Sequence, residues 1–223
     1  MYITLSAEER PMPAVLGGDE RARKSLTTRL PQGKYLYREG DLVERIYQVL
    51  TGVVRLTRML ENGRRQVIAF GYPGDIIGFP ANGCHHADCD ALVDTTLRAY
   101  RRAALDHGDG DPKLHTALLQ AALGEISAMQ DHVMMLGLKS AAEKVASFLD
   151  VLTRRYGEDL GAYRQIELPM SRSDIADFLG LTTETVSRAV TALRKAGVIS
   201  LEGAQMIIVL KPDTLAELSQ GED

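Results

Sequence analysis

Apolar and polar positions change rhythm twice along the chain. From about residue 36 to residue 100 the apolar residues fall in short runs rich in β-branched types, "IYQVL", "VVRLTRM" and "RQVIAF", punctuated by Gly33, Gly40, Gly52, Gly63, Gly71, Gly74 and Gly78. "LVDTTLRAY" at 92–100 is another strand candidate, and "ENG" at 61–63 supplies a hairpin turn. Short strands, a turn signal every ~10 residues and no helical period predict an antiparallel barrel or roll. "HGDGDP" at 107–112, a cluster of turn formers, closes this region.

Beyond that cluster the pattern is helical. Leu119, Ala122, Ile126, Met129, Val133 and Leu136 recur alternately three and four apart, the a/d seam of a coiled coil over about three heptads. A helix packed on its own domain would also carry an apolar stripe. This stripe is narrow and lies between two segments that each look complete without it, which favours pairing between two chains. "SAAEKVASFLDVLTRRYG" at 140–157 opens with a capping box, Ser140 and Glu143, and places Val145, Phe148, Leu149 and Leu152 on one face. A second, helical domain begins here.

The densest pattern is "SRSDIADFLGLTTETVSRAVTALRKAGVIS" at 171–200. Ser171 and Asp174 form a capping box, Gly180 stops the helix they start, and a second helix opens at Leu181 to Thr182 and runs to about Ala196. Two helices joined by a tight Gly-containing turn describe a helix-turn-helix. Val186, Val190 and Leu193 share one face of the second helix and would pack on Ile175 and Leu179. Glu184, Ser187 and Arg188 then lie together on the opposite face, near the end that a recognition helix inserts into the major groove. Arg matches the O6 and N7 acceptors of guanine and Glu accepts from the cytosine amine, so the pair suits a G·C base pair. An exposed i,i+4 ion pair is the plainer reading of Glu184 and Arg188. It loses ground because "VISLEGAQMIIVL" at 198–210 reads as strand, turn, strand: the wing of a winged helix.

Composition narrows the function. A chain of 223 residues with 45% apolar and 25% charged residues is that of a globular protein large enough for two cores. No apolar run approaches membrane-spanning length, and the N-terminus lacks a secretory pattern, so the expected location is the cytoplasm, with no membrane partner. The net charge of −4 argues against indiscriminate polyanion binding. Five Lys or Arg against four acids between Ser171 and Lys211 leave 5 − 4 = +1, so affinity for DNA must come from placement of cations and helix N-termini. H-E-x-x-H, G-x-S-x-G and a Gly-rich phosphate loop are all missing, and catalysis is not expected.

With these motifs assembled, the chain resembles the Crp/Fnr family of bacterial transcription regulators over nearly its whole length. The order of Gly-punctuated roll, "PGDIIGF", long helix, "GLKSAAEKVASFL" and "LGLTTETVSRAVTALRKAGVI" is similar to the family throughout. "ETVSR" at 184–188 looks like the Fnr and FixK branch, in which this Glu, Ser and Arg read a TTGA-type half-site of an inverted repeat. The Crp branch has Gly at the position of Ser187. The resemblance implies an α+β fold: an antiparallel, cyclic-nucleotide-binding-like β-roll over 26–108 after an extension at 1–25, a dimerisation helix over 109–138, and a winged helix-turn-helix over 139–223. It further implies Glu184, Ser187 and Arg188 as base readers, Ser171, Arg172, Thr183 and Lys195 near phosphates, a homodimer, RNA polymerase as partner, and genes of low-oxygen respiration or nitrogen metabolism as targets.

Two departures from the family bear on ligands. Members that bind cyclic AMP use a Gly-Glu pair and an Arg on the phosphate; here Phe79 follows Gly78, and Lys and Arg are lacking between Arg65 and Arg98. A buried phosphate would lack its counter-charge. Fnr proteins carry N-terminal cysteines for an iron–sulfur cluster, whereas Cys84 is the first cysteine here. Met129 keeps the seam apolar where Fnr has an acidic interruption. No cofactor is therefore expected, and the FixK-like branch, an activator assembled without a ligand, is favoured. The alternative is a regulator of the same family that senses gas or redox state, with haem held by one of His85, His86, His107, His115 or His132.

"GCHHADC" at 83–89 holds both cysteines and two of the five histidines. A seven-residue loop rarely supplies a tetrahedral zinc site alone, so no metal is expected. Cys84 and Cys89 remain a candidate redox pair.

Overall fold

The computed structural model describes residues 26–80, 82–108, 111–203 and 205–221; the expected extension at 1–25 lies outside them. The chain divides into two compact units, and the boundary, between Ala128 and Met129, falls inside the long helix.

In the first unit the Gly-cut runs form β1 (Leu26–Leu30), β2 (Tyr35–Tyr37), β3 (Arg45–Thr51), β4 (Val54–Met59), β5 (Arg65–Gly71), β6 (Ile76–Ile77), β7 (Asp88–Ala91) and β8 (Thr95–Arg101). They make two antiparallel sheets, ordered β1-β8-β3-β6 and β2-β7-β4-β5. Inward residues of both sheets, among them Val49, Val54, Leu56, Ala69, Cys89 and Leu97, form one core. Along β3 the buried Ile46 and Gln48 follow the period of two of a half-buried strand, and Val49, where the pairing with β8 shifts register, is buried as well. Its buried Gln48 accepts a hydrogen bond from the Tyr100 hydroxyl at 3.1 Å. The hairpin around "ENG" is present, with Met59 opposite Arg65.

The strand read at 92–100 is shorter than the sequence suggested, starting only at Thr95. Leu92 donates its N–H to Val53 and Asp94 accepts from the Gln32 backbone at 2.9 Å, so these residues build a turn. Gly52 lies against that turn: a Cβ there would stand 2.5 Å from the Asp94 carbonyl oxygen. Two short helical pieces then leave the roll, α1 (Arg102–His107) and the first part of α2 (Pro112–Leu138). No sequence pattern announces α1, since six residues are too few to show a helical period. Ala104 of α1 and Leu118 of α2 pack with Ile46, Ile76 and Tyr100 in a second cluster.

The second unit contains the remainder of α2, then α3 (Ala141–Tyr156), β9 (Glu158–Leu160), β10 (Tyr163–Glu167), α4 (Arg172–Leu179), α5 (Thr183–Lys195), β11 (Ile199–Glu202), β12 (Met206–Val209) and α6 (Pro212–Gln220). The expected capping box of α3 is formed: Ser140 Oγ accepts from Glu143 N, and the Glu143 carboxylate accepts from Ser140 N at 2.7 Å. The expected wing hairpin, β11 with β12, belongs to a four-stranded sheet of order β11-β12-β10-β9. Ala204 of its turn lies outside the described residues.

Candidate nucleic-acid interface

Local signals in the sequence fix the two helices that present the candidate surface. Ser171 Oγ accepts from Asp174 N at 3.1 Å while the Asp174 carboxylate accepts from Ser171 N at 3.0 Å and from its hydroxyl at 2.8 Å. Such a cap contributes about 1 kcal/mol. Gly180 then takes the left-handed conformation, φ 64°, and its N–H donates to the Ala176 carbonyl, ending α4. After Leu181 the Thr182 hydroxyl accepts from Thr185 N at 3.1 Å and starts α5. Ile175, Ala176, Phe178 and Leu179 of α4 are buried, as are Val186, Val190 and Leu193 of α5. The apolar face anticipated for the second helix is thus buried, with α5 packed on both α4 and α3, and its opposite face is left to solvent.

On that face Glu184, Ser187 and Arg188 are all exposed. Arg188 Nη2 donates to Glu184 Oε1 at 2.5 Å, with both side chains more than 70% exposed. The plain ion-pair reading of the sequence therefore describes the chain without DNA. It does not compete with base reading, because an exposed pair of this kind is worth only ~0.3–0.5 kcal/mol and is easily exchanged for better partners. The Ser187 hydroxyl donates to the Thr183 carbonyl at 2.8 Å, and Thr191 repeats the contact one turn on, to Ser187. The helix holds its own hydroxyls until a ligand offers a better acceptor.

The four candidate phosphate contacts are not equivalent. Thr183 is exposed in the first turn of α5, beside the base-reading patch. Lys195 is exposed but ends α5, about 18 Å further along the axis. Ser171 has its hydroxyl and N–H engaged in the cap of α4. Arg172 is half-buried, burial lowers its pKa, and its Nη1 meets neither solvent nor a hydrogen-bond partner among the described residues. It is not an open surface cation.

Of the seam residues, Leu119, Ile126, Met129 and Val133 are exposed, whereas Ala122 and Leu136 are half-buried. Leu123, Met134 and Leu138 widen the exposed apolar face. Leu136 leans toward the helix-turn-helix: a Cβ on Gly180 would be 3.9 Å from its Cδ2.

The "GCHHADC" stretch is mostly engaged by its own roll. Cys84 bridges Leu42, and His85 stacks on Tyr37 with ring centroids 3.5 Å apart and planes 4° from parallel. Both cysteines are free thiols. Cys89 is fully buried in β7, where desolvation pushes its thiol far up, the setting of a structural cysteine rather than a reactive thiolate. Among the described residues no three His, Cys, Asp or Glu side chains gather as a metal site. The cleft beside this loop is lined by Tyr37, Phe79, His85, His86 and Glu125, with neither Lys nor Arg among its residues. Burial raises the Glu125 carboxyl to about 7. Its place in this cleft could not be read from sequence, since it depends on how α2 lies on the roll.

Comparison with known proteins decides the family. Residues 27–107 match the cyclic nucleotide-binding domain and residues 143–218 the Crp-like helix-turn-helix domain. The nitrogen fixation regulation protein FixK of Rhizobium meliloti is 39% identical over 98% of this chain and 99% of its own. The chain belongs to the Crp/Fnr family, on its FixK-like branch. It is a transcription regulator of that type. The solved structure of FixK2 from Bradyrhizobium japonicum is 36% identical, with a TM-score of 0.80 over 89% of this chain and 99% of that one. The fumarate and nitrate reduction regulatory protein of Escherichia coli K12 is 31% identical over 85% of this chain and 77% of its own. Among the described residues no helix is long and apolar enough to cross a membrane.

Proposed function

We propose that this regulator binds, as a homodimer, an inverted repeat with TTGA-type half-sites, and acts mainly as an activator that recruits RNA polymerase to genes of low-oxygen respiration or nitrogen metabolism. The observation that carries the reading is the exposed patch of Glu184, Ser187 and Arg188 on a helix whose other face is buried, α5 packing on α4 and α3. Thr183, at the start of the same helix, takes a phosphate, and Lys195, with Ser171 and Arg172, adds weaker backbone contacts. The seam of Leu119, Ala122, Ile126, Met129, Val133 and Leu136 pairs with a second copy, which sets two recognition helices about one DNA turn apart, roughly 10 bp. The name of the Rhizobium meliloti relative, a nitrogen fixation regulation protein, supports the choice of target genes. Neither cofactor nor catalysis enters this function, and the site of action is the cytoplasm.

Binding to the repeat by the full chain, purified without added ligand, tests the reading. Arg188→Ala should weaken specific binding by roughly 1–3 kcal/mol and leave binding to random DNA nearly unchanged. Equal loss on both DNAs would contradict the assignment.

A further inference from the structure

The last ten residues of α2 belong to the same compact unit as the helix-turn-helix, so their seam positions Met129 and Val133 have a defined place relative to α5. Two contacts fix that place, in a stretch where Met135 is fully buried. The His132 ring stacks on Phe178 of α4, with centroids 4.4 Å apart, and Phe178 in turn meets Phe148 of α3. Lys139, one residue beyond the end of α2, sends its ammonium to Ser147 Oγ of α3 at 2.8 Å and to the Ser219 carbonyl of α6 at 2.5 Å. Ser147 Oγ also donates to that carbonyl, at 3.1 Å. Ser219 lies in the last turn of α6, where unpaired carbonyls and the negative end of the helix dipole favour a cation. One ammonium therefore ties the end of α2, the middle of α3 and the terminus of α6 together.

We infer that Lys139 is a positioning residue that sets the separation of the two recognition helices, and thereby the spacer length the protein accepts between half-sites. This rests on the dimeric, DNA-reading function proposed above. A joint that holds seam and recognition helix at one angle makes spacing a specificity determinant; a joint that has lost this tie lets each half of the dimer swing to meet its own half-site. Lys139 touches no DNA in this scheme and leaves the reading of a single half-site alone.

Affinity of the full chain should be measured on repeats whose spacer is lengthened or shortened by one and two base pairs, and on an isolated half-site. The wild type should favour one spacer by roughly tenfold or more, a coupling of ordinary size for linked sites. Lys139→Met should bind the altered spacers to within about threefold of the best while half-site affinity stays unchanged. Ser147→Ala, which leaves the ammonium with the Ser219 carbonyl alone, should broaden the profile less. A Lys139→Met profile as sharp as the wild type would overturn the inference. Were that variant to lose half-site binding too, Ser147→Ala decides, and an unchanged profile there overturns it. A wild type indifferent to spacing would overturn the dimeric reading itself, and this inference with it.

Discussion

In the β-roll unit the side chains with the richest chemistry face inward: Cys89 and Tyr37 are buried, His85 lies flat on Tyr37, and Glu125 lines a cleft that has neither Lys nor Arg among its described residues. On α5 the order is reversed. Val186, Val190 and Leu193 are sealed inside the unit, where α5 packs on α4 and α3, and Glu184, Ser187 and Arg188 stand in solvent, held by an exposed ion pair and a hydroxyl bonded within the helix. The contrast separates a unit whose polar groups serve its own packing from a unit whose polar groups await a partner. Among the described residues, the lining of the cleft in the first unit contains neither Lys nor Arg.

The largest effect should come from the support beneath the reading surface. Phe178→Ala removes the partner of both His132 and Phe148 and should cost about 3–5 kcal/mol in denaturant unfolding of the second unit. The roll should unfold where it did before; a shift of both transitions together would show that the contrast between the units is not independent of their folding. Ser171→Ala deletes the cap of α4 and should cost about 1 kcal/mol in the same measurement. A much larger loss of DNA affinity than of stability would show that Ser171 also meets a phosphate.

The smallest effect tests the roll by pH. Glu125 is raised to about 7 in the fold, so its protonated form is favoured there; the stability this confers is complete below the ordinary carboxylate pKa near 4.5 and is lost as pH climbs through about 7. Glu125→Gln escapes that loss and should melt about 2–4 °C above the wild type at pH 8, with no gap at pH 4. In the second unit His132 has the opposite sign. Burial lowers it to about 4, so the stability of its neutral ring is present above about 6.5 and lost as pH falls toward 4. A Glu125→Gln gap independent of pH would mean that the carboxyl is solvated and the cleft is not closed around it.

The two units also differ in how much of each the sequence could reveal. Ser171 with Asp174, Gly180 and the three-four spacing of Val186, Val190 and Leu193 act within a few residues of one another, and each formed as read. The wing hairpin was legible for the same reason. The rest of its sheet, β10 beside β12 and β9 beside β10, was not, because β9 is fully exposed and β10 buries only Ile166, so neither offers an alternation. The tie from Lys139 to Ser219 spans 80 positions, and no local period marks it. Cys84 and Cys89 looked like a pair because they are close in sequence. The fold gives one to a surface-side bridge and the other to the core. The seam stripe was visible at once, yet the inward lean of Leu136 toward Gly180 depended on the turn it meets.

The claim that α5 reads DNA through Glu184, Ser187 and Arg188 is tested most directly by selecting bound sequences from a random DNA pool, with the wild type and with Arg188→Ala. The wild type should enrich an inverted repeat with two TTGA-type half-sites, and the variant should keep the repeat while losing preference at one symmetry-related base pair in each half. Enrichment of no repeat by the wild type, or an identical set of sites from the variant, would contradict it.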